Sequence, residues 1–384
     1  MMILEFQEYR PRKIANVHRH VDGPWFWEKY SAHPYVGCRS GCEFCYLCGD
    51  RYLGRRDPAT FDTLIQVKIN AAELLRKELS RLEPEVIACG DWQQPAEDRY
   101  RLSRQMLEVV LDLRFPLFII ERSPLLIRDL DLLVDINHRS WVGVVFSISN
   151  VDPFLKQAFE PRSPGLKRRL QAMQTLAKAG ILVGTSLMPM LPQAGDDEKH
   201  LEDAMLATKD HGGSFVMAGG LTMEGVQAER TLAAARRFDP SLEDRLRHLY
   251  RWPMGGKPAY SPPRVYAARL GLMVRELCSR HGLADRMPRY ISPGPLASNK
   301  RIAEHLFLKT YDLELEQAEE YRLWAYRKAA WTVDELPHSI ARIFQARGTA
   351  GLQELPGIGQ TLSQEISKWL QDFSAEEVQV ETQN

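Results

Sequence analysis

Short apolar runs alternate with longer amphipathic stretches through the first two-thirds of the chain. Runs at 33–37, 86–89, 117–121, 141–148, 181–187 and 214–218 read as six strands, several apolar at every position. That pattern fits strands buried on both faces. Between them, 3.6-residue periodicity predicts helices over 70–82, 98–113, 125–136, 164–179 and 197–210. Asn70 followed by Glu73 reads as a capping box for the first, and Gly180 ends the fourth. Strands alternating with helices require parallel pairing and right-handed crossovers. The predicted class is α/β, a partial (β/α)6 TIM-like barrel whose ligands gather at the C-terminal strand ends.

The pattern changes near residue 230. Residues 251–263 are rich in Pro, Gly and aromatics and read as an irregular loop, and 266–281 read as a helix in which Cys278 and His281 are core and surface residues rather than a metal pair. From 312 the chain becomes helical again. The expected organisation is a barrel over 1–230, an irregular and helical extension over 231–310, a small all-α domain over 311–373 and a polar, disordered tail over 374–384.

Composition narrows the function classes. Of 384 residues, 44% are hydrophobic and 26% charged, and 50 Lys and Arg balance 50 Asp and Glu. These values suit a globular protein with a sizeable core and give no global pull toward nucleic acid; a polyanion site must be local. No run approaches a membrane span, and the N-terminus has no signal-peptide core, so the expectation is a cytoplasmic protein with no membrane partner.

The concentrated chemistry lies in Cys38-Arg39-Ser40-Gly41-Cys42-Glu43-Phe44-Cys45. Three thiolates on one loop can hold three irons of a 4Fe–4S cubane and leave the fourth iron open. Cys48 offers a fourth thiol, so a structural zinc site is an alternative, although zinc sites favour two separated pairs; chance clustering is another. A fourth ligand would close the open iron, which argues for Cys48 lying beside the cluster rather than on it.

The C-x3-C-x-aromatic-C loop resembles the signature of the radical S-adenosylmethionine (SAM) enzymes. The resemblance implies a barrel, a 4Fe–4S cluster and SAM as cofactors, a reducing partner such as flavodoxin or ferredoxin, and a 5′-deoxyadenosyl radical as the reactive species. Within that superfamily, Cys45-Tyr46-Leu47 and the Cys89 position look like the spore photoproduct lyase branch, over roughly 30–186. There a cysteine at the end of this strand returns a hydrogen atom to the product, and a tyrosine after the third cluster cysteine passes the radical back. Cys89 and Tyr46 are the matching catalytic candidates, with Cys89 expected at the barrel mouth; Phe44 replaces a second tyrosine of the family. Phe44, Asp91, Arg122, Ser147, Glu160 and Arg162 are the expected SAM contacts: Asp91 at the amino group, Arg122 near the carboxylate, Ser147 at the ribose, and Glu160-Pro161-Arg162 matching a family run. An ordinary ion pair or strand-end polar group is the alternative for each.

Leu355-Pro356-Gly357-Ile358-Gly359 is a helix-hairpin-helix signature, in which a tight turn presents backbone N–H groups to one phosphate. Gly357, Ile358, Gly359 and Gln360 are the expected DNA contacts. With Tyr326-Arg327-Lys328-Ala329-Ala330, the region resembles the N-terminal helix-hairpin-helix region of X-family DNA polymerases, which implies binding near ends, gaps or distorted duplex. Glu365 stands where that family can carry a lyase lysine, which excludes that activity. Lys167, Arg168 and Arg169 could extend a DNA track, or form a solvated helix face. The combined expectation is a lyase-like DNA-repair enzyme that removes a hydrogen atom from a damaged nucleotide, such as a thymine dimer or spore photoproduct. A radical SAM nucleic-acid modification enzyme and a non-enzymatic iron–sulfur DNA sensor are the alternatives.

Overall fold

The structure is a computed structural model that describes residues 4–21, 25–49, 52, 56–253 and 255–383. Two compact units divide the chain, one of Met1–Arg19 and Glu28–Pro288, the other of His20–Trp27 and Arg289–Asn384. The second unit thus takes in residues that sequence reading assigned to the barrel extension.

In the first unit the strands are β1 (Glu5–Tyr9), β2 (Ala15–Val17), β3 (Tyr30–Ala32), β4 (Tyr35–Val36), β5 (Leu64–Lys68), β6 (Ile87–Gly90), β7 (Leu117–Glu121), β8 (Val142–Ser147), β9 (Leu182–Met190) and β10 (Phe215–Gly220). Six of them, β3 and β6 through β10, are parallel neighbours in chain order, the topology of a (β/α)6 half-barrel. The first barrel strand is Tyr30–Ala32 and not the run at 33–37. The former is buried throughout. Tyr35–Val36 instead turns into a small sheet with β1 and β5.

Alternation along the strands sorts side chains between two faces. Ile87, Cys89, Leu117, Ile119, Val142, Val144 and Phe146 join one apolar layer with Leu75, Leu79, Leu107, Val110, Leu133, Ile136 and Met173 of the covering helices. Each such buried side chain contributes about 1.5–3 kcal/mol. Ala88, Gly90, Val145 and Ser147 alternate with these and face the barrel interior.

Local signals are corrected at three places. Asn70 precedes Ala71–Leu79 but caps nothing with its side chain, which donates to the Pro11 carbonyl. The helix expected over 98–113 breaks at Arg101, whose φ of 49° is left-handed, into Glu97–Tyr100 and Leu102–Leu113. Residues 125–129 lie in a 3-10 turn, Pro124–Asp129, before the α-helix Leu130–Arg139.

The second unit contains the helices Ala297–Leu315, Glu320–Asp334, Ile340–Gln353 and Gln360–Gln383. The last extends through the segment expected to be disordered. Leu352 of the third helix, Ile358 of the turn and Leu362, Ile366 and Leu370 of the fourth are buried. Asn299, fully buried, donates to the Leu336 and His338 carbonyls at 3.2 and 2.9 Å and accepts from Ile340 N at 2.8 Å, so one amide fixes the turn before the third helix.

Candidate active site

The cysteine loop leaves β4 through Gly37, whose φ is 96°. A Cβ there would sit 2.7 Å from the Leu64 carbonyl, so only glycine fits. Cys38 N donates to Phe61 O at 3.1 Å, and Gly41 turns the loop with φ 52°. Cys45 N then donates to Cys42 O at 3.2 Å and Cys48 N to Cys45 O at 3.0 Å. Cys38, Cys42 and Cys48 are buried and Cys45 is half-buried.

Burial and neighbouring groups raise all three loop thiols. Burial, Asp91 and Cys42 push the Cys38 thiol up. Burial raises Cys42 to about 11 against the pull of Arg122. Cys45 is raised by its hydrogen bond with Cys48 and by burial, with Cys42 and Cys38 adding to both. Among the described residues no three thiol, imidazole or carboxylate groups converge on the point where a single ion would sit.

The C-terminal strand ends supply the surrounding groups. Asp91, one residue past β6, adopts a left-handed φ of 55°, and its carboxylate accepts from the Cys38 thiol at 3.5 Å. That backbone outlier costs about 1–2 kcal/mol and lies beside the loop. Arg122, one residue past β7, places Nη1 2.6 Å from the Glu160 carboxylate and its guanidinium 5.9 Å from the centre of the Phe44 ring. Arg169 Nη1 lies 3.2 Å from the same carboxylate oxygen and donates to the Ser147 carbonyl at 2.6 Å. Burial pushes Glu160 up, but Arg122 and Arg169 outweigh it and hold the carboxyl at about 2.

Several expected roles separate at this point. Arg162, expected as a SAM contact, pairs with Asp62 against Gly41. Arg169 is buried under the site, so only Lys167 and Arg168 of that basic run are exposed. Cys89, 2% exposed, sits in the helix-facing apolar layer with Ile87 and Ile119, and not at the mouth. Strand alternation is the reason: Ala88 and Gly90 take the interior positions. Burial and the Glu121 carboxylate raise its thiol well above the usual range. Tyr46 is 55% exposed and meets the edge of Tyr52 at 5.1 Å, while Phe44 is buried.

Other residues of the site were not anticipated from sequence. Gln227, Arg230 and Thr231 lie on one face of the helix Gly225–Phe238, at the i, i+3, i+4 spacing that could have flagged them. Gln227 Nε2 donates to Phe44 O at 3.2 Å, and Thr231 Oγ1 to Glu43 O at 3.2 Å. Asn150, 4% exposed and three residues past Ser147, is a second omission: neither its amide oxygen nor its nitrogen has a partner among the described residues.

In the second unit, Gly357 has φ 77° and, like Gly359, would place a Cβ in open space. Gly357, Gly359 and Gln360 are exposed, whereas Ile358 is buried and anchors the turn through its side chain. Tyr326 donates to the Glu365 carboxylate at 2.8 Å, so the position of the polymerase lysine carries a structural hydrogen bond.

Comparison with known proteins agrees with this geometry. A family model described as a helix-hairpin-helix domain matches residues 297–374. An uncharacterised protein of Mycobacterium tuberculosis is 31% identical over 267 residues, covering 68% of this chain and 77% of the relative. A Pseudomonas phage M6 protein named radical SAM Nα-GlyT isomerase is 26% identical over 64% of this chain and 51% of its own length. Spore photoproduct lyase, solved as a mutant with bound AdoMet and dinucleoside spore photoproduct, superposes with a TM-score of 0.50 at 18% identity, over 70% of this chain and 80% of that one. The chain belongs to one family with the mycobacterial protein, and its first unit shares the fold of spore photoproduct lyase. The cofactors of radical SAM enzymes are a 4Fe–4S cluster and SAM, and the donors present fit them. Three thiols share one loop. The Asn150 amide is buried with no hydrogen-bond partner among the described residues, an arrangement that suits a polar ligand. Among the described residues, no helix is long and apolar enough to cross a membrane.

Proposed function

We propose that this radical SAM enzyme acts on DNA, abstracting a hydrogen atom from a damaged or distorted nucleotide held by the helix-hairpin-helix unit. The observation that carries the reading is the joint presence of a three-thiol loop at the C-terminal strand ends and an exposed Gly357–Gly359 turn in the same chain. When bound, the cluster and SAM supply the electron and the deoxyadenosyl radical. The residues of the chain do the rest. Cys38, Cys42 and Cys45 hold the cluster. Asp91 would accept from the SAM amino group, and Arg122 would offer its guanidinium to the SAM carboxylate. Phe44 and the Arg122–Glu160–Arg169 group form a dry, charged floor. The Gly357–Gly359 turn grips a backbone phosphate without reading sequence. A reductant such as flavodoxin or ferredoxin supplies the electron, and cytoplasmic location is the setting that suits the thiols.

The burial of Cys89 favours a second version in which SAM is consumed. With no Cys89 thiol at the mouth, hydrogen return from that residue is lost, and one 5′-deoxyadenosine would leave per turnover. The test of the enzymatic reading is anaerobic reduction of the reconstituted protein with SAM. Wild type should release 5′-deoxyadenosine and Cys42→Ala should not. Equal release from both, or none from wild type, would refute it.

A further inference from the structure

The helix Gly225–Phe238 reaches the cysteine loop through one guanidinium. Arg230 Nη1 donates to Cys48 Sγ at 3.2 Å, Nη2 to the Gly41 carbonyl at 3.3 Å, and Nε to the Glu43 carboxylate at 3.3 Å. Glu43 is held from a second side by Arg237 at 2.9 Å. The three acceptors lie before Cys42, between Cys42 and Cys45, and after Cys45, so a single planar fork spans the loop. Its donor directions are fixed in a way an ammonium cannot reproduce.

Cys48 is the group with most to gain from a different partner. It is 1% exposed and three residues after Cys45. A C-x2-C pair is the spacing at which two thiolates bind one metal centre. Burial leaves Cys48 few alternatives: Arg230, Cys45, or a metal. Loss of the guanidinium would leave a buried sulfur next to a site that accepts thiolates.

We propose that Arg230 is a positioning residue that holds the Cys48 sulfur off the cluster, so that three cysteines ligate and the fourth iron stays open to SAM. This rests on the cluster reading above. Arg230 then acts through Cys48 and not on substrate. Arg230→Met should let Cys48 complete a four-thiolate set, and removing Cys48 as well should reopen the site.

The experiment compares wild type, Arg230→Met, Arg230→Lys, Cys48→Ala and the Arg230→Met/Cys48→Ala double variant, each reconstituted anaerobically with iron and sulfide. Low-temperature electron paramagnetic resonance of the reduced cluster, with and without SAM, reads whether the open iron takes SAM; equilibrium dialysis reads SAM affinity. A SAM-induced change in the wild-type spectrum is the control, and its absence would refute the cluster reading itself, and this proposal with it. Given that change, Arg230→Met should lose it and bind SAM at least tenfold more weakly. Arg230→Lys should fall between. Cys48→Ala and the double variant should respond like wild type. An Arg230→Met spectrum that still responds to SAM would overturn the proposal. So would a double variant as impaired as Arg230→Met, including one that fails to hold iron, because the guanidinium would then serve the loop without regard to Cys48.

Discussion

The Arg122 guanidinium lies 2.6 Å from the Glu160 carboxylate, and Arg169 lies 3.2 Å from the same oxygen; Glu160 and Arg169 are buried and Arg122 is half-buried. One buried and one half-buried cation therefore depend on one anion. Removing the anion leaves both uncompensated, a loss of about 3–5 kcal/mol. Glu160→Gln should lower thermal stability accordingly, and SAM affinity should fall with it as Arg122 loses its support. The pH dependence follows from the depressed carboxyl, about 2 when folded against 4.5 when free. Its contribution is complete above the free value and is lost as pH falls through the folded value. It amounts to about 3 kcal/mol. Melting curves between pH 7 and pH 2 should show a steeper acid loss for wild type than for Glu160→Gln.

Cys89 gives a prediction that separates packing from chemistry. Its side chain is in the helix-facing layer. Cys89→Ala should cost about 1 kcal/mol from the vacated space. It should leave 5′-deoxyadenosine formation and product identity unchanged. Product analysis by mass spectrometry checks this, and an altered product or a trapped adduct in the variant would place the thiol at the reacting centre.

The helix-hairpin-helix unit has its own buried anion. Asp334 pairs with Arg289 and, at 3.2 Å, with Lys300 Nζ. Burial raises its carboxyl, but the two cations outweigh burial and hold it below its ordinary value. Its stabilisation is present above the free carboxyl range and is lost as pH falls below it. Asp334→Asn should destabilise the protein by about 3–5 kcal/mol at neutral pH, by thermal denaturation.

Sequence legibility followed the physics of each signal. The Cys38, Cys42 and Cys45 spacing and the Pro356-Gly357 turn are local, and both were readable. So were five of the six barrel strands, because parallel strands buried on both faces are apolar at every position. The first barrel strand was misplaced by three residues, since Tyr30–Ala32 and Tyr35–Val36 are both short and apolar and only pairing with β6 or β5 distinguishes them. β5 was missed although Ile65 and Val67 alternate with polar neighbours. Arg230 was invisible for a different reason. Its partners, Gly41, Glu43 and Cys48, lie more than 180 residues earlier in the chain. The fate of the Glu160-Pro161-Arg162 run was likewise decided by tertiary neighbours: Glu160 pairs with Arg122 and Arg169, and Arg162 with Asp62.

DNA binding should depend on the hairpin. Gly357 holds φ 77°, so Gly357→Ala introduces strain of about 1 kcal/mol and displaces the N–H groups of the turn. Fluorescence anisotropy with gapped duplex should show weaker binding by the variant. The wild-type salt dependence should be shallow, with a slope of about one per phosphate contacted. Unchanged affinity would assign the hairpin to protein contacts.

The most direct test of the central claim follows 5′-deoxyadenosine and SAM-derived tritium in the anaerobically reduced protein, with ultraviolet-irradiated DNA, intact DNA or none. The account predicts SAM cleavage that rises with irradiated DNA, with the tritium kept in the released 5′-deoxyadenosine. Cleavage indifferent to DNA of either kind would contradict it.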